Sequence, residues 1–235
     1  MYDYRKWQHV FKLDPNKGIS DDHLDKICTS GTDAVIVGGT DGITLEKVVG
    51  LLSRVRRYEV PCALEISTID AIAPGFDLYL IPTVLNSTTP KWILGKHKRA
   101  IKMFGDWINW REIVIEGYCV LNAESKVARL TSAQTDLDQE DVAAFATIAE
   151  KMFRLPIFYI EYSGTYGDPE IVRRAKEQLQ ETILFYGGGI NSVARAMEMK
   201  QYADCIVVGN LIYENIGEAL RTVQAIKNLD SDGAN

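Results

Sequence analysis

Cysteine and histidine are scarce in this sequence, and neither is grouped. Cys28, Cys62, Cys119 and Cys205 lie far apart and form no CxxC pair. That spacing argues against a zinc ribbon or a disulfide framework and fits reduced core thiols in a cytosolic protein. His9, His23 and His97 make no HExxH or similar metal cluster. No run of about 18 apolar residues is present to span a bilayer. The opening "MYDYRKWQHV" lacks the apolar stretch of a signal peptide, so a cytoplasmic location is expected. An excess of positive charge is also missing. The net charge of −6 argues against non-specific nucleic-acid binding, although it leaves room for a local basic patch.

What is present is an ordinary globular composition of 46% apolar and 25% charged residues over 235 positions. Short apolar runs at 9–13, 34–37, 62–65, 78–81, 113–119, 157–161, 182–186 and 205–208 read as strands buried on both faces. Amphipathic stretches alternate with them. "TLEKVVGLLSRVRRY" (44–58) carries apolar residues at helical spacing, and "DQEDVAAFATIAEKMF" (138–153) opens with carboxylates suited to a helix N-terminus. "DPEIVRRAKEQLQ" (168–180) offers an Asp N-cap and Pro at the first helical position. Strand-then-helix units repeated this way predict a (β/α)8 TIM barrel over 1–228, followed by a frayed tail at 229–235. An open doubly wound sheet is the competing arrangement. The segment 66–77 is too short for a full helix, so the third helix is expected to be lost or reduced. The segment 120–137 reads as a long loop.

Glycine clusters at two neighbouring strand ends, "YGGGIN" (186–191) and "VVGN" (207–210). In a barrel these loops lie on one rim, where bare N–H groups can cradle a phosphate; the alternative is a pair of tight turns. Other strand ends carry polar groups. In "FKLDP", Lys12 and Asp14 fall on the same side of the first strand. They are placed to meet a phosphate and a divalent cation respectively, or simply to form a surface ion pair. "VGGTDG" supplies Thr40 as an oxygen ligand, and "FYIEYSGTYGDP" places Glu161 at a strand tip as a general base or a structural acid.

Together, "FKLDP", "VGGTDG", "YIEYSGTYGDP", "YGGGIN" and "VVGN" resemble the geranylgeranylglyceryl phosphate synthase family, and most closely its bacterial heptaprenylglyceryl phosphate synthase branch, also called PcrB. The resemblance runs from the first strand to the last helix. It implies a modified TIM barrel without a regular third helix. It also implies a Mg2+-dependent prenyltransferase that joins a long-chain prenyl diphosphate to the 3-hydroxyl of sn-glycerol 1-phosphate, forming an ether and releasing diphosphate. Carried over to this chain, Lys12, Tyr159, Ile160, Glu161, Tyr162, Ser163, Gly164, Gly189, Gly209 and Asn210 hold the glycerol phosphate. Asp14 and Thr40 lie at the metal, and Glu161 takes the hydroxyl proton.

From 78 to 105 the chain has Lys91, Lys96, Lys98, Arg99 and Lys102 but no carboxylate, and these basic residues interleave with Trp92, Ile101, Met103 and Phe104. The region around Lys98, Arg99 and Ala100 is a candidate for the prenyl diphosphate, with small Ala100 leaving room for a long tail. The same stretch equally fits peripheral contact with a membrane, a homodimer interface or a solvated basic face. Two other functions fit the glycine loops: a barrel enzyme acting on a sugar or heterocycle phosphate, and a non-catalytic module that binds a phosphate lipid.

Overall fold

The computed structural model describes residues 3–232. Eight parallel strands close into a barrel in sequence order. They are β1 (His9–Leu13), β2 (Ala34–Val37), β3 (Cys62–Glu65), β4 (Leu78–Val84), β5 (Ile113–Val120), β6 (Ile157–Glu161), β7 (Ile183–Gly187) and β8 (Cys205–Val208). Side chains alternate across each strand, which creates two cores. Val10, Ile36, Leu80, Ile157, Phe185 and Val207 fill the barrel. Phe11, Val35, Leu64, Phe158, Leu184 and Val208 face the helices.

Around the barrel stand α1 (Asp21–Cys28), α2 (Leu45–Val55), α3 (Lys96–Phe104), α4 (Lys126–Thr131), α5 (Gln139–Thr147), α6 (Pro169–Lys176), α7 (Val193–Lys200), α8 (Leu211–Glu214) and α9 (Ile216–Asp232). Their starts are locally encoded. Ser20, Thr44, Ser125, Asp168 and Ser192 each accept a backbone N–H from their own first turn, and Asp138 with Asp141 forms a reciprocal capping box. At the foot of the barrel, buried His9 bridges Thr32 at 3.0 Å and Thr222 at 2.9 Å, tying β1 to α9.

Between β3 and β4 there is only one 3-10 turn, Ile69–Ala71, as the short 66–77 segment predicts. The 120–137 segment differs from expectation: Ser125 caps a short helix, α4, within the stretch read as a loop. The last helix runs to Asp232, and the remainder of the expected tail, 233–235, lies outside the described residues. Among the described residues, no helix is long and apolar enough to cross a membrane.

One element departs from the barrel pattern in a way that shapes the site. A π-helical turn, Lys91–Gly95, leads into α3, and no residue of either is buried. The helix meets β4 through its first turn, where His97 Nε2 lies 3.3 Å from Thr83 Oγ1, and a space remains beneath the rest of it.

Candidate active site

A cavity of about 680 Å³ opens at the C-terminal end of the strands. Its inner part is polar and includes Lys12, Glu65, Tyr118, Tyr159 and Glu161, bordered by Gly187, Gly188, Gly189 and Gly209. Its outer part passes beneath α3, over Ile81, Pro82, Ile113 and Ile115 on one side, and Ala100 and Ile101 on the other.

The inner groups form one network. Lys12 Nζ donates to Glu65 Oε1 at 2.6 Å and to the Tyr118 hydroxyl at 3.2 Å, and lies 3.9 Å from Glu161 Oε2. The Tyr118 hydroxyl is 3.1 Å from Glu161 Oε2 and 3.3 Å from Glu65 Oε1. The other oxygen of Glu161 accepts the Ser163 N–H. Tyr118 stacks on Tyr159 with ring centroids 4.5 Å apart, and the Lys12 ammonium lies 5.5 Å from the Tyr159 ring centre. Lys12 thus pairs with Glu65 at the end of β3 and not with Asp14, which follows directly after its own strand.

Burial governs the charges. It raises the Glu161 carboxyl above its ordinary value, with the Lys12 ammonium opposing and Glu65 reinforcing the rise. Burial also opposes the charge on Lys12, but Glu65 and Glu161 outweigh it and hold the ammonium's pKa above the usual lysine value. Glu116, fully enclosed in the barrel below Tyr118, has no hydrogen-bond partner for either oxygen among the described residues. Burial, reinforced by Glu65 and Glu161 and opposed by Lys12, raises its pKa well above the ordinary carboxylate value. The Tyr118 and Tyr159 phenols are likewise pushed well up by burial and the nearby carboxylates, and remain protonated.

The glycine loops serve the protein as well as any ligand. A Cβ on Gly187 would overlap the Tyr159 hydroxyl. Gly189 has φ +58°, and a Cβ there would overlap the backbone nitrogen of Tyr166 in the loop after β6. Gly209 is different: its nearest neighbour would be the Lys12 carbonyl oxygen at 3.8 Å, so its backbone lies open to the cavity. Asn210, beside it, accepts from Lys17 Nζ at 2.8 Å, and Arg195 Nη1 donates to the Gly189 carbonyl at 3.3 Å.

Asp14 and Thr40 both reach the cavity. Asp14 Oδ1 accepts the Asn16 N–H at 2.9 Å, and a Cβ on Gly39 would stand 2.9 Å from the same oxygen. Among the described residues no group of three or more His, Cys, Asp or Glu side chains could hold a metal. A carboxylate and a hydroxyl alone suit Mg2+, which keeps waters and takes substrate phosphate oxygens as further ligands.

Of the expected site residues, Lys12, Asp14, Thr40, Tyr159, Glu161, Ser163, Gly164, Gly189, Gly209, Asn210 and Ala100 line this one cavity. The other four do not. Strand alternation turns Ile160 outward from Tyr159 and Glu161 into the helix-facing core, and Tyr162 packs in that same core beside Gly167. Lys98 and Arg99 are exposed away from the cavity, whose wall takes Lys96 instead. Sequence reasoning missed Glu65, Glu116, Tyr118, Lys17 and Arg195. Glu65 ends a strand just as Glu161 does, a signal that was available in "CALE".

Comparison with known proteins follows the same line. The chain is 62% identical over 227 residues to a heptaprenylglyceryl phosphate synthase of Geobacillus sp. (strain WCH70), covering 97% of this chain and 100% of that one. It is 61% identical over 227 residues to a protein of the same name from Bacillus cytotoxicus, covering 97% and 99%. Among solved structures, (S)-3-O-geranylgeranylglyceryl phosphate synthase from Thermoplasma acidophilum, in complex with sn-glycerol-1-phosphate, shares the fold. Its TM-score is 0.82 at 24% identity, with 94% of each chain covered. The sequence pattern of the PcrB family matches residues 2–227, and with relatives this similar over nearly the full length, the chain belongs to the PcrB family.

Proposed function

We propose that this protein is a prenyltransferase that joins heptaprenyl diphosphate to the 3-hydroxyl of sn-glycerol 1-phosphate, releasing diphosphate. The observation that carries this reading is the cavity's division into two continuous parts. The polar inner part suits a small phosphate, and the apolar passage beneath α3 suits a long hydrocarbon. A sugar-phosphate enzyme would use the first part and leave the second without purpose. A passive binding module would have no need of Glu161, Tyr118 and Lys12 joined in a buried network.

The phosphate of the acceptor lies in the cradle of Ser163, Gly164, Gly189, Gly209 and Asn210, with Lys12 supplying positive charge. That phosphate does not react; its binding energy orients the hydroxyl. Glu161 takes the hydroxyl proton as the oxygen bonds to C1 of the donor and the C1–O bond to diphosphate breaks, the electron pair leaving with diphosphate. Tyr118 holds the receiving carboxylate in place. Asp14 and Thr40 would hold Mg2+, which would supply neutralisation of the leaving group's charge. A cytoplasmic location and a homodimer complete the proposal, the dimer resting on the family resemblance alone; contact with a membrane surface rests on the α3 face.

The test is incubation with radiolabelled sn-glycerol 1-phosphate, MgCl2 and prenyl diphosphates of several lengths. Ether-linked product with the heptaprenyl donor is expected, and its loss on chelation is expected with it. Absence of product with every donor would end the proposal.

A further inference from the structure

The segment 91–110 combines features that one partner explains. Its cations Lys91, Lys96, Lys98, Arg99 and Lys102 make no ion pair among the described residues. Lys96 lies 3.8 Å from the Trp92 ring centre, and Lys91 5.3 Å. The same segment exposes large apolar groups: Trp107 is 87% exposed, Leu94 69% and Met103 51%. Nothing in the fold requires this, since no residue of α3 is buried.

We infer that this face docks on an anionic lipid bilayer, with Leu94, Met103 and Trp107 entering the interface and the basic residues meeting acidic headgroups. Three observations favour a bilayer. The whole protein carries a net charge of −6, so an anionic surface repels it on balance and a local concentration of unpaired cations is what could hold it there. Lysine interleaved with tryptophan and aliphatic groups is the composition of interfacial elements. The face is also continuous with the apolar passage, because Trp92, Ile101, Ile108 and Trp110 belong to this segment and to the cavity wall. A prenyl chain can therefore leave the bilayer and enter the site with little exposure to water. This last point rests on the proposed prenyl transfer; the first two do not. A second copy of the chain fits less well. A two-fold contact presents the same face twice and would set these cations against themselves.

The experiment is co-sedimentation of the full chain, without substrates, with vesicles of phosphatidylglycerol or of phosphatidylcholine. Binding to the anionic vesicles only, weakening at high salt, is expected. Neither Trp107, Met103, Lys91 nor Lys102 lines the cavity. Lys91→Glu with Lys102→Glu should lower vesicle partition by roughly 30-fold or more, from about fivefold per lost cation. Trp107→Ser with Met103→Ser should lower it by at least ~10-fold. Both double variants should keep wild-type turnover when the donor is presented in detergent. Failure of the wild type to sediment with anionic vesicles would overturn the inference, as would variants that bind like wild type. A change in oligomeric state of the charge-reversed variant by light scattering would also overturn it, by assigning the face to a second copy. Vesicle binding by a protein that makes no ether product would leave the docking surface intact and remove the proposed reaction instead.

Discussion

Lys12 and Glu65 face each other across the top of the barrel, Nζ 2.6 Å from Oε1, with the Tyr118 hydroxyl within reach of both. This pair sets the charge of the site. Glu65 and Glu161 are both buried, and Lys12 is the only cation in direct contact with either among the described residues. A site that must receive two phosphate-bearing substrates thus holds its lysine against two acids, while burial and those two carboxylates disfavour charge on its third acid, Glu116.

Replacing Lys12 should therefore harm the fold as well as binding. Lys12→Met leaves Glu65 and Glu161 buried without a counter-charge, a situation that costs about 3–5 kcal/mol. The lysine side chain is 19% exposed, so the lower end of that range is expected. Chemical denaturation checks this. Lys12→Met with Glu65→Gln should recover part of the lost stability while leaving glycerol phosphate affinity low. Additive losses in the double variant would show that the pair is not coupled.

Glu161→Gln should reduce kcat by roughly 10²–10⁴-fold, the range for a general base, with a much smaller change in glycerol phosphate affinity. The pH profile follows from the raised carboxyl pKa. The base works when ionised, so kcat should climb with pH along an acid limb centred above the ordinary glutamate value, and fall as pH drops through it. The limb should vanish in Glu161→Gln. Because the Lys12 charge opposes the rise, any residual activity of Lys12→Met should show the limb moved to higher pH. An unchanged limb in both variants would assign it to another group.

The two glycine loops should respond differently to alanine. At Gly189, alanine must adopt φ +58° and pushes against the Tyr166 backbone. A loss of stability of about 1 kcal/mol or more is expected, together with weaker glycerol phosphate binding. At Gly209 the first neighbour is 3.8 Å away, so Gly209→Ala should leave the melting temperature nearly unchanged and raise KM alone. Thermal melts beside KM measurements separate the two. Equal melting losses would mean that Gly209 is also structural.

The barrel was legible because apolar runs at regular intervals leave few other folds. Its strand faces were not. Parallel strands buried on both sides show no polar alternation, so "CALE" and "IVIEGYCV" did not reveal which residues turn inward. Tyr118 was missed for that reason, Glu65 although its place at a strand end matches that of Glu161, and Ile160 was carried into the site with its motif although parity turns it outward. Pro82 made the fourth strand look shorter than it is. β3 pairs with β4 only as far as Leu80, so Pro82 lies where that edge has no ladder left to supply, and β4 continues along β5 to Val84. The passage beneath α3 is a space left by packing that does not occur, and sequence patterns record contacts more readily than gaps.

That passage yields the most selective test. Ala100 faces it from α3, opposite the outer sides of β4 and β5. Ala100→Trp would place a ring across the route of a long donor but beyond the reach of a short one. Turnover with the heptaprenyl donor should fall by ~100-fold or more, the scale of a displaced reacting geometry, while a two- or three-unit donor keeps nearly full rate. Stability should barely change, because no residue of α3 is buried and the new ring displaces no packed neighbour. Comparing rates across a donor series, with a melt of the same sample, distinguishes blockage from misfolding. Equal loss with all donors would place the hydrocarbon elsewhere.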